Sequence, residues 1–392
     1  MIDYRFTYFN LDLKVLLPNL EGSLIPFLKA YFEPYIKISP SQGQATYTPI
    51  ACIGVEVGMP PIEVPNKNGS IEIDIDRSKA FLQCTGKYID QGEIRWVWML
   101  PSKAIVRIDR NTSEIKIWGP TQDSLRVPVL RIVEDLLSNA IQRREGVIIH
   151  ASGVVANGQA VIAIGNKGAG KTSILCRLLH SFNVAKLAND NVCIAVRKDH
   201  LVARGWPAFF KVEVATVSSL RELAVDFPEE HRAILNNSDA LWNVYNKVAL
   251  YPSQGASRFS AGIEVEAPLG AIILPNFSKD KSPELHQVNV EEVASQLPEY
   301  LQGIFNPNHS DWLAINSVTS NLVLKTLDSV VDAIKSFKVP LYRLNWCPSL
   351  DDLLGQVPEL RKTQWSLIDC QKDSENLHDY PPLPTISPDD RC

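Results

Sequence analysis

No apolar run in the chain approaches the roughly 18 residues that a membrane-crossing helix needs, and the mean hydropathy is −0.05. A membrane partner is therefore not expected. A basic excess is missing as well. The 39 Lys and Arg residues stand against 44 Asp and Glu, for a net charge of −5, which argues against a general nucleic-acid binder. Cysteine is sparse and unpatterned. Cys52, Cys84, Cys176, Cys193, Cys347, Cys370 and Cys392 form no C-x-x-C pair and no Cys/His cluster, so neither a zinc site nor a disulfide framework is indicated. The first ten residues include Asp3 and lack the basic-then-apolar order of a secretory signal. No internal repeat is visible. These absences point to a soluble, folded chain of the cytoplasm with reduced thiols.

What is present is material for a large core: 45% of the 392 residues are hydrophobic and 21% are charged, enough for two to three domains at about 150 residues each. Residues 1–123 read as a β-rich N-terminal domain. Ile71 to Asp76 alternates strictly, placing three isoleucines on one strand face and the carboxylates on a solvated one. Ile94 to Met99, Ala104 to Ile108 and Ile115 to Trp118 look like further strands, punctuated by turn residues such as Asn68-Gly69 and Gly119-Pro120. A short helix fits Ser23 to Tyr35. Residues 124–145 change period: Leu130, Val133, Leu137 and Ile141 fall at helical spacing, and Arg143-Arg144 suit the negative end of the helix dipole. This segment is expected to be a helix linking two domains. Residues 146–365 have α/β texture, with short apolar runs at Val147 to Ile149, Val161 to Ile164, Asn191 to Val196 and Leu269 to Leu274. Ser349 offers an N-cap with Asp352 three residues on. Residues 366–392 carry four prolines without any period, which suggests a mostly disordered tail.

One motif carries chemistry. Gly165-Asn166-Lys167-Gly168-Ala169-Gly170-Lys171-Thr172 fits G-x-x-x-x-G-K-S/T, the phosphate-binding loop, with Ser173 next. An apolar strand enters the loop, and an amphipathic helix bearing Ile174, Leu175, Leu178, Leu179 and Phe182 leaves it. Glycines permit backbone angles that turn successive N–H groups inward as an anion nest, and the helix start adds the positive end of its dipole. Lys171 is placed to reach the β- and γ-phosphates, and the Thr172 hydroxyl is placed for Mg²⁺. The loop implies a nucleotide, ATP with GTP as the alternative, but it does not name a reaction. No apolar strand ending in Asp-Glu follows it, nor does L-S-G-G-Q or N-K-x-D, so transporters, motors and GTPases are disfavoured.

A polar knot, Ala188-Asn189-Asp190-Asn191, precedes the strand 191–196, and His150-Ala-Ser-Gly-Val154 precedes the loop. With Gly205-Trp-Pro207, these segments resemble the HPr kinase/phosphorylase-like family over 146–207, and more weakly over about 125–350. The resemblance implies an HPr kinase-like P-loop core, a mixed sheet with flanking helices, and ATP- and Mg²⁺-dependent phosphoryl transfer to a hydroxyl. It also implies that Asp190 is the base and a metal ligand with Thr172, and that His150 lines the nucleotide side. Here Asn189 or Asn191 stands where the family has a second Asp, which puts reverse phosphorolysis in doubt. The family's E-I-R-G signature for docking its phosphocarrier protein is absent, so the acceptor is expected to be a hydroxyl-bearing peptide or small molecule. Asp190 could instead be a turn aspartate and His150 a satisfied buried histidine. Arg204, Lys247 and Arg258 are further cations that could serve transfer or simply sit at the surface. The alternatives to a kinase are a non-catalytic nucleotide-binding switch or scaffold and a P-loop ATPase. A homo-oligomer is left open.

Overall fold

The computed structural model describes residues 1–17, 22–41, 48–67, 69–76, 84–144, 146–213, 216, 220, 247–277, 283–305, 311–346 and 354–360. The chain divides into two compact units. Among the described residues, the first comprises those of 1–144 and 303–323, and the second those of 146–302 and 324–360.

The first unit is built on one sheet of nine strands in the order β3-β1-β2-β4-β9-β8-β7-β6-β5. These are β1 (Ile2–Tyr8), β2 (Leu11–Leu17), β3 (Lys37–Pro40), β4 (Cys52–Val57), β5 (Ile71–Asp76), β6 (Cys84–Gln91), β7 (Ile94–Met99), β8 (Ala104–Asp109) and β9 (Glu114–Gly119). The alternation in β8 is the expected one: Ala104, Val106 and Ile108 are buried. At β5, Ile71 on the isoleucine face is more than half exposed. This strand is the sheet's edge and has a neighbour on one side only.

Helices α1 (Leu24–Phe32) and α2 (Gln122–Arg144) belong to this unit. The expected linker helix at 124–145 is therefore a core element of the first unit rather than a connection outside it. Its apolar stripe (Val129, Leu130, Val133, Leu137, Ile141) is buried, but so are the polar Arg126, Glu134, Asp135, Ser138, Asn139 and Gln142. Three of these are held by partners distant in sequence or on the next turn. Glu134 accepts from Tyr31 Oη at 2.6 Å and from Arg131 at 2.9 Å. Asp135 accepts from Trp312 Nε1 at 2.6 Å, and Asn139 donates to the Ile315 carbonyl. Arg95, bidentate on Asp90, also donates to the Trp312 carbonyl at 2.9 Å. These bonds account for the return of 303–323 to the first unit, a return that one-face periodicity does not reveal.

The second unit holds β10 (Gly146–Ala156), β11 (Gln159–Ile164), β12 (Ala185–Ala188), β13 (Asn191–Val196), β14 (Leu201–Gly205), β15 (Phe210–Glu213), β16 (Lys247–Leu250), β17 (Glu266–Phe277), β18 (Glu284–Val288) and β19 (Leu341–Trp346). Two long strands organise it. The first half of β10 pairs with β13, and its second half with β11 and β12. Likewise the start of β17 pairs with β14, while its later residues lie parallel to β11 and β19. The sheet is thus mixed, with β11, β17 and β19 parallel, β18 antiparallel on β19, and β13 and β14 bridging the two long strands. Helix α3 (Lys171–Ser181) lays Ile174, Leu175, Leu178 and Leu179 against Val154, Val161, Ala271, Ile273 and Leu344. Further helices are α4 (Pro252–Ser257), α5 (Val290–Ala294) and α6 (Ser320–Ser336). The N-cap expected at Ser349 and the tail at 366–392 lie outside the described residues. Among the described residues no helix is long and apolar enough to cross a membrane.

Candidate functional site

Strand β11 ends at Ile164, the loop Gly165–Gly170 follows, and α3 begins at Lys171. Gly168 and Gly170 have φ of 86° and 93°, a region that side chains rarely tolerate. The Ala169 N–H closes a turn on the Asn166 carbonyl at 3.1 Å. Lys171 is buried, and its Nζ donates to the carbonyls of Gly165 (2.7 Å) and Asn166 (2.9 Å), so the ammonium lies within the loop it closes. Asn166, Lys167 and Gly168 form the exposed tip. Thr172 is half-buried, and Ser173 Oγ lies 2.7 Å from Thr216 Oγ1.

Strand β10 brings the second group of residues to the loop. Ala151 pairs with Ile164, the last residue before the loop, so His150 and Ser152, two residues apart on one strand face, flank the loop's root. Ser152 Oγ donates to the Lys171 carbonyl at 2.8 Å, tying β10 to the first turn of α3. His150 pairs in register with Asn191, and the Ala151 N–H donates to the Asp190 carbonyl. His150 lies within the eleven-residue β10, where the strand's pairing passes from β13 to β11 and β12. Its Nε2 is 3.2 Å from Asp190 Oδ1.

Asp190 occupies the tight connection between β12 and β13, with its side chain 43% exposed. Surrounding protein pushes its carboxyl upward in pKa, but the hydrogen bond and charge of His150, with the charges of Lys211 and Lys171, outweigh that and hold it well below the usual carboxylate range. Asn189 is buried and donates from Nδ2 to the Phe209 carbonyl at 2.9 Å, pinning the approach to β15, the strand that carries Lys211. Asn189 Oδ1 and Asn191 Oδ1 are buried acceptors without a partner among the described residues.

No family model matches this chain, and no curated protein matches it. One solved structure, the Hpr(Ser) kinase/phosphatase from Coxiella burnetii, aligns over 54% of this chain and 92% of its own, with 10% identity and a TM-score of 0.24. So slight a likeness carries no argument, and the reading of the site stands on its geometry.

The loop residues 165–173, His150 and Asp190 therefore converge on one end of β11. Among the other cations, Arg204 is engaged: its Nε donates to Glu266 Oε2 at 2.5 Å from a buried position. Arg258 caps the end of α4, and the Lys247 side chain lies outside what the structure describes. The donors around Asp190 suit a hard cation. The Asp190 carboxylate, the Thr172 hydroxyl and the unpartnered amide oxygens of Asn189 and Asn191 are all oxygen ligands of the kind Mg²⁺ takes. Among the described residues no group of three or more His, Cys, Asp or Glu side chains could hold a metal by itself. Sequence reasoning gave no role to Ser152, Asn189 Nδ2, Lys211 or Trp346. Only Ser152 had a signal, its place two residues after His150.

Proposed function

We propose that the second unit is an ATP- and Mg²⁺-dependent phosphotransferase acting on the hydroxyl of a peptide or small molecule. The observation that carries this is the His150–Asp190 pair held at the root of a glycine-rich loop whose lysine opens α3. A loop of this form offers backbone N–H groups and one ammonium to a polyphosphate. On ligand entry Lys171 would exchange its two loop carbonyls for phosphate oxygens, neutralising charge on the group in flight. When bound, Mg²⁺ would supply further charge neutralisation on the phosphates; Thr172 and Asp190 are the residues that would hold it.

Asp190 is a weak base, because its neighbours favour the carboxylate. Phosphoryl transfer through a loose transition state asks little of a base. In this reading Asp190 Oδ accepts a hydrogen bond from the acceptor hydroxyl and orients it. The oxygen–phosphorus bond forms as the bridge to the leaving diphosphate breaks, and the proton passes late to Asp190 with His150 beside it. Lys211 adds positive charge on the same carboxylate. Asn189 favours a second reading, a nucleotide-binding switch without transfer, since its amide is committed to the Phe209 carbonyl and supplies no second carboxylate. Incubation with γ-labelled ATP and candidate acceptors separates the two. Label on an acceptor hydroxyl supports the kinase, whereas nucleotide binding without transfer or turnover supports the switch.

A further inference from the structure

Trp346 ends β19, and its indole reaches the phosphate-binding loop from 177 residues away in sequence. The Nε1–H donates to the Ala169 carbonyl at 3.0 Å. The six-membered ring covers Gly170 so closely that a Cβ built there would meet Cζ2 at 1.8 Å. The indole also packs against Phe277, at 4.8 Å between ring centroids, and Trp346 is almost wholly buried. Phe277 faces Trp346 across the parallel pairing of β17 and β19. The tryptophan is thus seated on β19 and packed on its neighbour β17, which pairs in turn with β11, and it has little freedom of its own.

The consequence follows from peptide geometry. In a trans peptide the carbonyl and the next residue's N–H point in opposite directions. The Ala169 carbonyl and the Gly170 N–H belong to one peptide unit. Holding the carbonyl on the indole side therefore turns the Gly170 N–H to the opposite side. That peptide is also the last one before Lys171, so its orientation sets how the helix start meets the loop. Glycine at 170 is needed twice: for its φ of 93° and for the space the indole takes.

We infer that Trp346 is a positioning residue for the anion nest, an external latch that fixes the Ala169–Gly170 peptide with its N–H presented to a polyphosphate before any ligand arrives. The inference rests on the phosphate-binding reading of the loop. Pre-orientation removes the cost of ordering the peptide on binding. Loss of one such bond is on the scale of about 1 kcal/mol, which corresponds to roughly a fivefold change in affinity.

The test is calorimetric titration of the full chain with inorganic pyrophosphate and with MgATP, for the wild type, Trp346→Phe and Trp346→His. The latch predicts a Kd about fivefold to tenfold higher in W346F for both ligands. It predicts partial recovery in W346H, whose ring nitrogen can still donate, and faster amide hydrogen exchange confined to 166–172. Equal affinities for wild type and W346F overturn it, as does a loss that W346H fails to recover. A wild type that binds neither ligand removes the phosphate reading itself, a failure visible before any variant is compared.

Discussion

His150 Nε2 and Asp190 Oδ1 stand 3.2 Å apart, on neighbouring strands whose pairing places His150 opposite Asn191. The contact is short and held by backbone: the Ala151 N–H grips the Asp190 carbonyl, and Asn189 is tied to Phe209. Neither partner can drift far without breaking the ladder between β10 and β13. One carboxylate oxygen is committed to the imidazole, and the other is open to an acceptor or a cation.

If Asp190 orients the acceptor, Asp190→Asn should leave the loop and Lys171 intact. Nucleotide affinity should stay within a few-fold of wild type, while single-turnover transfer should fall by roughly a hundredfold or more, the scale of losing a positioned proton acceptor. A structural aspartate would instead lower the melting temperature, with proportionate loss of binding and transfer. The depressed pKa adds a pH signature. The carboxylate's contribution to stability is in place above the ordinary aspartate range and is lost only as the pH falls toward the still lower folded value. The stability difference between wild type and D190N should therefore shrink in acid.

Lys171→Ala removes the ammonium from within the loop. Nucleotide affinity and transfer should fall together, by at least about 3 kcal/mol in transition-state terms. Two hydrogen bonds to the Gly165 and Asn166 carbonyls go with it. A fall of a few degrees in melting temperature is expected as well, but not unfolding, because the apolar face of α3 is untouched. Unaltered transfer in K171A would end the kinase reading.

Metal dependence can be checked on the same preparation. EDTA should abolish transfer and Mg²⁺ should restore it. Thr172→Val keeps the side chain's shape but removes the hydroxyl, so the Mg²⁺ concentration for half-maximal transfer should rise about tenfold or more, a change of roughly one strong ligand. Transfer that proceeds without metal would count against both residues as ligands.

The legible parts of this chain are those where periodicity and local chemistry coincide. The strands at 94–99 and 104–109 and the helix from 171 lie where alternation and apolar spacing put them. The loop was legible because its glycines, lysine and flanks all lie within about a dozen residues. What stayed hidden depends on contacts between distant segments. Asp135 and Trp312 reveal nothing in sequence of the bond that returns 303–323 to the first unit. Trp346 gives no hint of Ala169. Helix α2 reads as a one-faced connector because its buried acids are satisfied by partners far away in sequence, Tyr31 and Trp312.

Lys186 offers a last prediction, set by burial alone. It lies on β12, four residues before Asp190, almost wholly enclosed. Its Nζ donates to the Pro252 carbonyl at 3.3 Å and sits 5.8 Å from the centre of the Phe210 ring. Burial disfavours the charged form and brings its pKa down to about 7 from 10.5. The sign then follows. Between about pH 7 and 10 the unfolded chain holds this proton and the folded chain releases it, so the group makes unfolding harder as the pH rises. Its share of the slope approaches about 1.4 kcal/mol per pH unit within that window. Below pH 7 both states hold the proton, and the cost of burying the charge is at its full, constant value. Lys186→Met keeps the stem's volume and removes the titration. The variant should be more stable than wild type at pH 7, and the gap should narrow steadily toward pH 10. Urea unfolding of both proteins at pH 7, 8, 9 and 10 measures this directly. A gap that is constant with pH would mean that Lys186 keeps its proton in the folded chain throughout the window.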